Sequence, residues 1–210
     1  MHYVLVWWFK EKIQPQLKGF SGLVVYADDF VACFQYKDDA KWFYEALKSR
    51  MATFGLELEG TKTRLIEFGR YAEENRRRRG EGKPETFTFL GFTHYCSKDR
   101  SGKRFRVKRK TSKKKFNKKI KELSMKIKSM RQFKVSEIIT YLNKVLTGYY
   151  NYYGITDNSR SLRNFLEKLK YKLFYWLNRR SQRRSYSWDG FTELLKHMPL
   201  KQPRIRVSIY

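Results

Sequence analysis

The chain has 210 residues, 41% of them hydrophobic, so it can bury one or two cores and is not a wholly disordered polymer. Its formal net charge of +27 is unevenly placed. Residues 1–75 hold 7 Lys and 3 Arg against 11 Asp and Glu, and residues 76–210 hold the remaining 37 basic and 9 acidic residues. A near-neutral half therefore joins a strongly cationic half, which indicates a polyanionic partner, most commonly a nucleic acid.

A membrane surface is the competing partner for such a charge. No apolar run approaches the roughly 20 residues that cross a bilayer. The short apolar run at residues 4–9 also lacks the basic leader of a secretory signal. The sequence therefore predicts a cytoplasmic protein without a membrane partner.

The first elements in chain order surround a pair of carboxylates. Residues 2–14 predict a helix that Pro15 closes. Tyr-Ala-Asp-Asp follows at residues 26–29 between two short β-prone runs, which predicts a strand, a tight turn and a returning strand. Two adjacent carboxylates at the tip suit Mg²⁺, which is usually held by one or two carboxylates together with substrate phosphates. An ordinary polar turn would also explain Asp28 and Asp29, because Asp is favoured in turns.

The remainder of the neutral half predicts a helix and short strands. Asp-Asp at residues 38–39 is a candidate helix cap, and Gly55 lies where the helix should end. The apolar stripe of this helix is Ala40, Phe43, Leu47, Met51 and Phe54. Residues 56–58 and 65–68 favour strands, whereas residues 70–86 show no periodicity and favour a mobile loop.

The basic half predicts strands followed by helices. Residues 87–92 favour one strand with a glycine that lets another backbone approach, and Ser-Gly at residues 101–102 turns a hairpin into residues 105–107. Three amphipathic helices follow, with Ser136 as the cap of the second, and they indicate a small bundle. Their stripes are Phe116, Ile120, Leu123, Ile127 and Met130, then Ile138, Leu142, Val145, Leu146 and Tyr149, then Leu162, Phe165, Leu166, Leu169, Leu173, Trp176 and Leu177. A shorter helix is expected around residues 191–197.

Several motifs together resemble known families. The order of Tyr-Ala-Asp-Asp (26–29), Gly-Leu-Glu-Leu (55–58), Thr-Lys-Thr (61–63) and Phe-Leu-Gly-Phe (89–92) is similar to that of reverse transcriptases. Arg-Val-Lys-Arg-Lys-Thr-Ser (106–112), Gly-Tyr-Tyr-Asn-Tyr-Tyr-Gly (148–154) and Trp-Leu-Asn-Arg-Arg (176–180) resemble the thumb, or maturase region, of bacterial group II intron proteins. The resemblance covers essentially the whole chain.

This resemblance implies an α+β fold. Residues 1–110 would form a partial reverse-transcriptase palm with the catalytic β-hairpin, a helix and the primer-grip strands, and residues 111–210 a helical thumb/maturase bundle. The implied activity is RNA-directed DNA polymerase activity of a mobile group II intron, with Mg²⁺ as cofactor, together with assistance to RNA splicing. The implied partners are the intron RNA and a template–primer duplex.

The resemblance also assigns residues to roles. The catalytic metal ligands would be Asp28 and Asp29. Contacts to the nucleotide or primer would come from Tyr26, Ala27, Lys62, Leu90 and Gly91, with Leu90–Gly91 as the primer grip. Lys62 could instead be an ordinary solvated lysine.

The basic run at residues 103–121 predicts an ordered phosphate-binding surface, since apolar residues interleave with its charges. A merely solvated face is the alternative. The candidate RNA-binding residues are Arg106, Lys108, Arg109, Lys110, Lys113, Lys114, Lys115, Arg179 and Arg180, with Arg183 and Arg184 as further alternatives. The tyrosines of residues 149–153 could stack on bases. Their helical spacing favours helix core for most of them.

The chain also departs from the reverse-transcriptase pattern. The fingers and the palm strand with a third metal-binding Asp are not found upstream of Asp28, where Glu11 is the sole acidic residue. Two-metal catalysis needs both ions held about 3.5–4 Å apart. A fragment that needs an upstream fingers–palm piece is therefore expected. A non-enzymatic RNA-binding splicing cofactor and a decayed reading frame without a stable fold are the alternatives.

We expect no primer extension by the 210-residue chain alone, because two adjacent carboxylates are a poor holder for two ions. Extension should appear when a fingers–palm fragment is added, and Asp28→Asn should then abolish it. Incorporation of labelled nucleotides on a primed RNA template measures this. Robust Mg²⁺-dependent synthesis by the isolated chain would contradict the fragment interpretation.

Overall fold

The computed structural model describes residues 2–99, 101–181 and 185–209. It has the mixed α+β composition that the sequence predicts, with helices, a two-stranded sheet and a three-stranded sheet. Among the helices in these ranges, none combines the length and apolarity of a bilayer-spanning segment.

The chain divides into two compact units. The first, called here the hairpin unit, comprises Met1–Phe89 and Lys98–Arg106. The second, the helical unit, comprises Leu90–Ser97 and Val107–Tyr210. Residues 90–97 thus group with the helices, and the functional boundary near residue 110 stays a prediction.

The hairpin unit begins with the helical segment that the sequence predicts. Its elements are π-helical turns at His2–Trp7 and Phe9–Ile13, a 3₁₀ turn at Gln14–Gln16, strands β1 (Ser21–Tyr26) and β2 (Asp29–Phe34), helices α1 (Lys37–Ala52) and α2 (Ala72–Arg78), and strand β3 (Phe87–Phe89). The first helical segment and α1 bury one shared core of Leu5, Phe9, Ile13, Phe43, Leu47 and Met51. The antiparallel β1–β2 pair confirms the predicted strand, turn and returning strand.

Helix α1 begins differently from the prediction. Its N-cap is Tyr36, which makes no side-chain capping bond. Asp39 is instead buried, at 6% exposure, and its Oδ2 accepts bonds from the backbone N–H groups of Lys18 and Gly19, each at 3.1 Å. The predicted cap is therefore wrong, because this carboxylate ties the loop before β1 to the helix.

The end of α1 is as predicted. Gly55 has a positive φ of 64°, its N–H donates to Ala52, and the next N–H, from Leu56, donates to Met51. These two bonds form a Schellman motif, in which glycine is favoured. Phe54 is exposed rather than in the stripe, because the chain has already left the helical face.

Two further predictions in this unit are wrong. Residues 56–58 and 65–68 are not strands, since a strand needs a neighbour and neither sheet in the described part of the chain includes them. The loop predicted for residues 70–86 contains α2. Two glutamates in its first turn and three arginines in its last turn complement the helix dipole, which periodicity does not detect.

The helical unit matches the predicted bundle closely. Strands β4 (Phe92–Lys98) and β5 (Phe105–Thr111) precede helices α3 (Lys113–Ser129), α4 (Val135–Tyr153), α5 (Ser159–Leu177) and α6 (Trp188–His197). A turn at Leu90 and Gly91 breaks the single strand that the sequence favours at residues 87–92. The predicted stripes form one core, except that Phe116, Val145 and Trp176 lie at its edge. Lys134, not Ser136, is the N-cap of α4.

One buried amide connects the segments of the helical unit. Asn158 is fully buried, and its Oδ1 accepts a bond from the N–H of Thr111 at 2.8 Å. Its Nδ2 donates to Thr111 Oγ1 at 2.8 Å and to the carbonyl of Tyr153 at 2.9 Å. The end of β5 is thereby fixed to the end of α4.

Replacing Asn158 by Ala should leave these buried groups without partners. We expect the free energy of unfolding to fall by about 2–3 kcal/mol, the cost of one or two orphaned buried groups. Urea unfolding followed by circular dichroism measures it, with Asn151→Ala, on the exposed side of α4, as control. Equal unfolding midpoints for the two variants would contradict the structural role of the amide.

Candidate nucleic-acid interface

The two adjacent carboxylates lie at the tip of the β1–β2 hairpin. Asp28 lies in the turn and Asp29 begins β2, opposite Tyr26, and all three are exposed. Ala27 has a positive φ of 51°, which non-glycine residues rarely adopt. The turn therefore presents both carboxylates to solvent and not to the core.

The donor chemistry at this tip suits Mg²⁺ in part. Carboxylate oxygens are the protein ligands that Mg²⁺ prefers, commonly one or two together with substrate phosphates. Over the ranges that the structure describes, however, no group of three or more His, Cys, Asp or Glu is arranged to hold a metal. The two aspartates fall short of the three-carboxylate set that the resemblance implies, so Mg²⁺ binding stays a prediction.

Lys62 belongs to the electrostatic surroundings of the hairpin. It forms an ion pair with Glu59, and Thr61 Oγ1 donates to the same carboxylate at 2.9 Å. The bond to Glu59 raises the pKa of Lys62, and the charge of Asp29 adds to the rise. Glu59 was not singled out from the sequence, although a glutamate three residues before a lysine is a common pair.

The Leu90–Gly91 turn is held by the helical unit's own groups. Leu90 and Gly91 have positive φ values of 49° and 76°. The Leu90 carbonyl accepts a bond from Tyr152 Oη at 2.8 Å, and the Gly91 carbonyl accepts one from the N–H of Ser112 at 2.9 Å. A Cβ at Gly91 would lie 2.8 Å from Tyr153 Oη. Glycine is therefore required here by the fold itself, and contact with a primer stays a prediction.

The basic residues of β5 divide between its two faces. Side chains alternate along a strand, so Arg106, Lys108 and Lys110 share one face, where Lys110 Nζ lies 5.2 Å from the centre of the Tyr95 ring. Arg109 points to the opposite face. Its Nη1 is buried and has no hydrogen-bond partner within the described part of the chain. The strand face with three cations is thus the better candidate for phosphate contacts.

The first turn of α3 concentrates positive charge. Ser112 caps the helix by accepting a bond from the Lys115 N–H at 3.4 Å. Lys113, Lys114 and Lys115 are exposed, and this turn contains no acidic residue. Cations at a helix N-terminus oppose the helix dipole, so helix stability does not account for them. An anionic ligand would account for these three lysines.

Comparison with protein families agrees with the position of this helix. Residues 113–192 match the family model described as group II intron, maturase-specific domain. The match begins at the first residue of α3 and extends into α6. This part of the helical unit is therefore similar to the maturase-specific domain of group II introns. No curated protein matches the chain.

Within the matched residues, the two arginines after α5 differ in their contacts. The guanidinium of Arg179 lies 3.8 Å from the centre of the Tyr175 ring, and Arg179 is exposed. Arg180 donates from Nη2 to the carbonyl of Phe133 at 3.0 Å, which ties the end of α5 to the loop between α3 and α4. Arg179 is therefore the freer of the two, and RNA contact by either arginine stays a prediction. Arg183 and Arg184 lie outside the described residues.

On β5, the charge of Arg109 affects a histidine on β4, His94. Burial lowers the pKa of His94, and the positive charge of Arg109 lowers it further, while a backbone bond at Phe92 opposes them. The imidazole is thus held in its neutral form next to a cation. The sequence alone does not indicate a role for His94, because an isolated histidine gives no signal without its neighbours in space.

The depressed pKa of His94 predicts acid-sensitive stability. In the unfolded chain a histidine binds a proton near pH 6.5, whereas folded His94 does so at lower pH, so the free energy of unfolding should fall as the pH drops below about 6.5. Urea unfolding at pH 7.5 and 5.5 measures the loss. It should be smaller in His94→Gln and unchanged in His197→Gln, whose imidazole is exposed. An equal loss in both variants would refute the assignment.

Proposed function

We propose that the chain is an RNA-binding maturase that grips group II intron RNA through the helical unit and assists its splicing. The observation that carries the proposal is the exposed lysine cluster in the first turn of α3, at the start of the maturase-specific match. In the same unit, the preceding strand β5 adds Lys108 and Lys110. Together these residues form the α3–β5 basic surface.

RNA chemistry fits this surface. Structured RNA presents a shallow minor groove that proteins recognise mainly by shape and through phosphate and 2′-hydroxyl contacts. Lysines on an exposed helix turn make point-charge contacts with phosphates, and each neutralised phosphate releases counterions. Binding through the α3–β5 basic surface should therefore be strong at low salt and weakly dependent on sequence.

A polymerase role for the hairpin unit forms the second part of the proposal. Asp28 and Asp29 would hold Mg²⁺ for nucleotidyl transfer in a reverse-transcriptase palm, together with ligands from an upstream fingers–palm fragment. The exposed carboxylates at the hairpin tip and the influence of Asp29 on Lys62 support this role. The non-enzymatic alternative, a splicing cofactor that acts through the helical unit alone, is favoured by the family match, which begins at residue 113.

Replacing Lys113, Lys114 and Lys115 together by Ala tests the RNA-binding proposal. If about six phosphates are neutralised in the wild type, affinity should fall on the order of a thousandfold between 50 and 200 mM salt. The variant should bind more weakly, with a log–log salt slope reduced by about 3 if all three lysines contact phosphates. Its melting temperature should not decrease, because the three lysines oppose the helix dipole. Fluorescence anisotropy with a structured RNA measures the affinity.

The matched control removes the same charge from the hairpin unit. Lys10, Lys12 and Lys18 are exposed there, and their joint replacement by Ala should leave the salt slope nearly unchanged. Equal slopes for the two triple variants would place the phosphate contacts elsewhere. Affinity that does not respond to salt would refute the electrostatic basis of the proposal.

A further inference from the structure

An open groove of about 430 Å³ lies between α3 and α4. This volume is within the usual range of small-ligand sites, roughly 300–1,000 Å³. The lining groups that bear on its chemistry are Lys115, Lys118, Lys119 and Glu122 from α3 and Gly148 and Tyr152 from α4. The groove therefore has a cationic wall and a wall with an aromatic ring and a glycine.

The cationic wall holds more positive charge than its own acid neutralises. Lys119 Nζ lies 3.4 Å from Glu122 Oε2, at the long end of an ion pair. Within the described residues, neither Lys115 nor Lys118 forms an ion pair. Two lysines along this wall thus remain available to an anion.

The aromatic wall of the groove is the ring of Tyr152, which other residues hold in position. Tyr152 is 54% exposed, yet its hydroxyl donates to the Leu90 carbonyl at 2.8 Å. Its ring stacks on Phe92 with a centre-to-centre distance of 5.9 Å and an interplanar angle of 17°. Tyr153 also packs edge-on against the Tyr152 ring, with a centre-to-centre distance of 4.8 Å. A ring fixed by these neighbours but still half exposed is a preorganised surface for stacking, which is worth about 1–3 kcal/mol per base in nucleic-acid proteins.

Gly148 is unexplained by the fold. It lies exposed in the interior of α4, where glycine is less favourable than alanine. A Cβ built at this position would meet no atom within 4 Å, so no close contact inside the protein requires glycine. A ligand that approaches the helix backbone in the groove would require it, as glycine commonly permits such an approach.

We propose that this groove binds one unpaired ribonucleotide of the RNA. Its base stacks on Tyr152, its phosphates contact Lys115 and Lys118, and its sugar passes over Gly148. An unpaired nucleotide fits better than a duplex, because a base must leave its helix to stack on a protein ring. The inference rests on the proposed function, since it specifies how the same unit contacts RNA.

The stacking is tested with the full chain and two probes. One is a single-stranded ribo-oligonucleotide with one 2-aminopurine, and the other is the same strand paired with its complement. Binding of the single strand should change the 2-aminopurine fluorescence in the wild type and in Tyr152→Phe, which keeps the ring. Tyr152→Leu should lose the change and bind about tenfold more weakly. Tyr171→Leu, at an equally exposed tyrosine outside the groove, should match the wild type.

Separate variants test the glycine and the lysines of the groove. Gly148→Ala should raise the melting temperature by about 2 °C, since alanine favours helix. It should nevertheless weaken single-strand binding several-fold while sparing the duplex. Lys118→Ala should weaken single-strand binding more than Lys121→Ala, which removes the same charge from the part of α3 outside the groove.

The outcomes separate the two proposals. Suppose that the wild type binds the single strand with salt-dependent affinity and that Tyr152→Leu and Gly148→Ala bind it equally well. The groove proposal is then refuted, and the RNA-binding function still holds. An equal fluorescence change in Tyr152→Leu and Tyr152→Phe would also overturn the groove. If the wild type binds neither probe nor a structured RNA, the proposed function itself fails.

Discussion

The buried amide of Asn158 is the contact on which the arrangement of the helical unit depends. It satisfies the N–H and hydroxyl of Thr111 at the end of β5 and the carbonyl of Tyr153 at the end of α4. Thr111 is followed directly by Ser112, the cap of α3, and Tyr153 is preceded by the stacking ring of Tyr152. The Asn158 side chain thereby fixes the position of the first turn of α3, with its three lysines, and the position of the end of α4, with Tyr152. A buried polar group without its hydrogen-bond partner is costly, so the arrangement in which all of these bonds form is strongly favoured over alternatives.

Several local features of the helical unit oppose stability. Three lysines occupy a helix N-terminus, where the dipole disfavours them, and Gly148 interrupts a helix without a packing reason. Natural sequences are locally consistent except at functional or strained sites. Both exceptions lie on α3 and α4, within the maturase-specific match. The proposed RNA ligand would account for both, because phosphates would neutralise the lysines and a close approach would need the glycine.

The hairpin unit has its own core and presents its candidate metal ligands at the end of a strand pair. Its core comes from a helical segment and α1, which cover the β1–β2 pair, while a buried aspartate secures the entry to the sheet. The two candidate metal ligands lie at the opposite end of the strands from Ser21 and Phe34, in a tight turn. The backbone geometry of the hairpin thus presents both carboxylates to solvent, where the charge of Asp29 also acts on Lys62.

The sequence by itself determined the elements that periodicity and local chemistry encode. Apolar stripes at helical spacing predicted α1 and α3 to α5, β-prone runs around two aspartates predicted the hairpin, and Gly55 marked a helix end. The buried face of each predicted helix could also be read from the sequence, because an apolar stripe is a local pattern. Charge counts likewise identified the basic half, and its motifs indicated the maturase region that the family match bears out.

Only the tertiary structure decided which polar groups meet. Asp39 bonds a loop 20 residues away, Asn158 reaches Thr111 across 47 residues, and Tyr152 reaches Leu90 across 62. No local pattern encodes such pairs, because a hydrogen bond depends on distance in space and not in sequence. The strands expected at residues 56–58 and 65–68 failed for the same reason, since a strand exists only where another strand lies beside it.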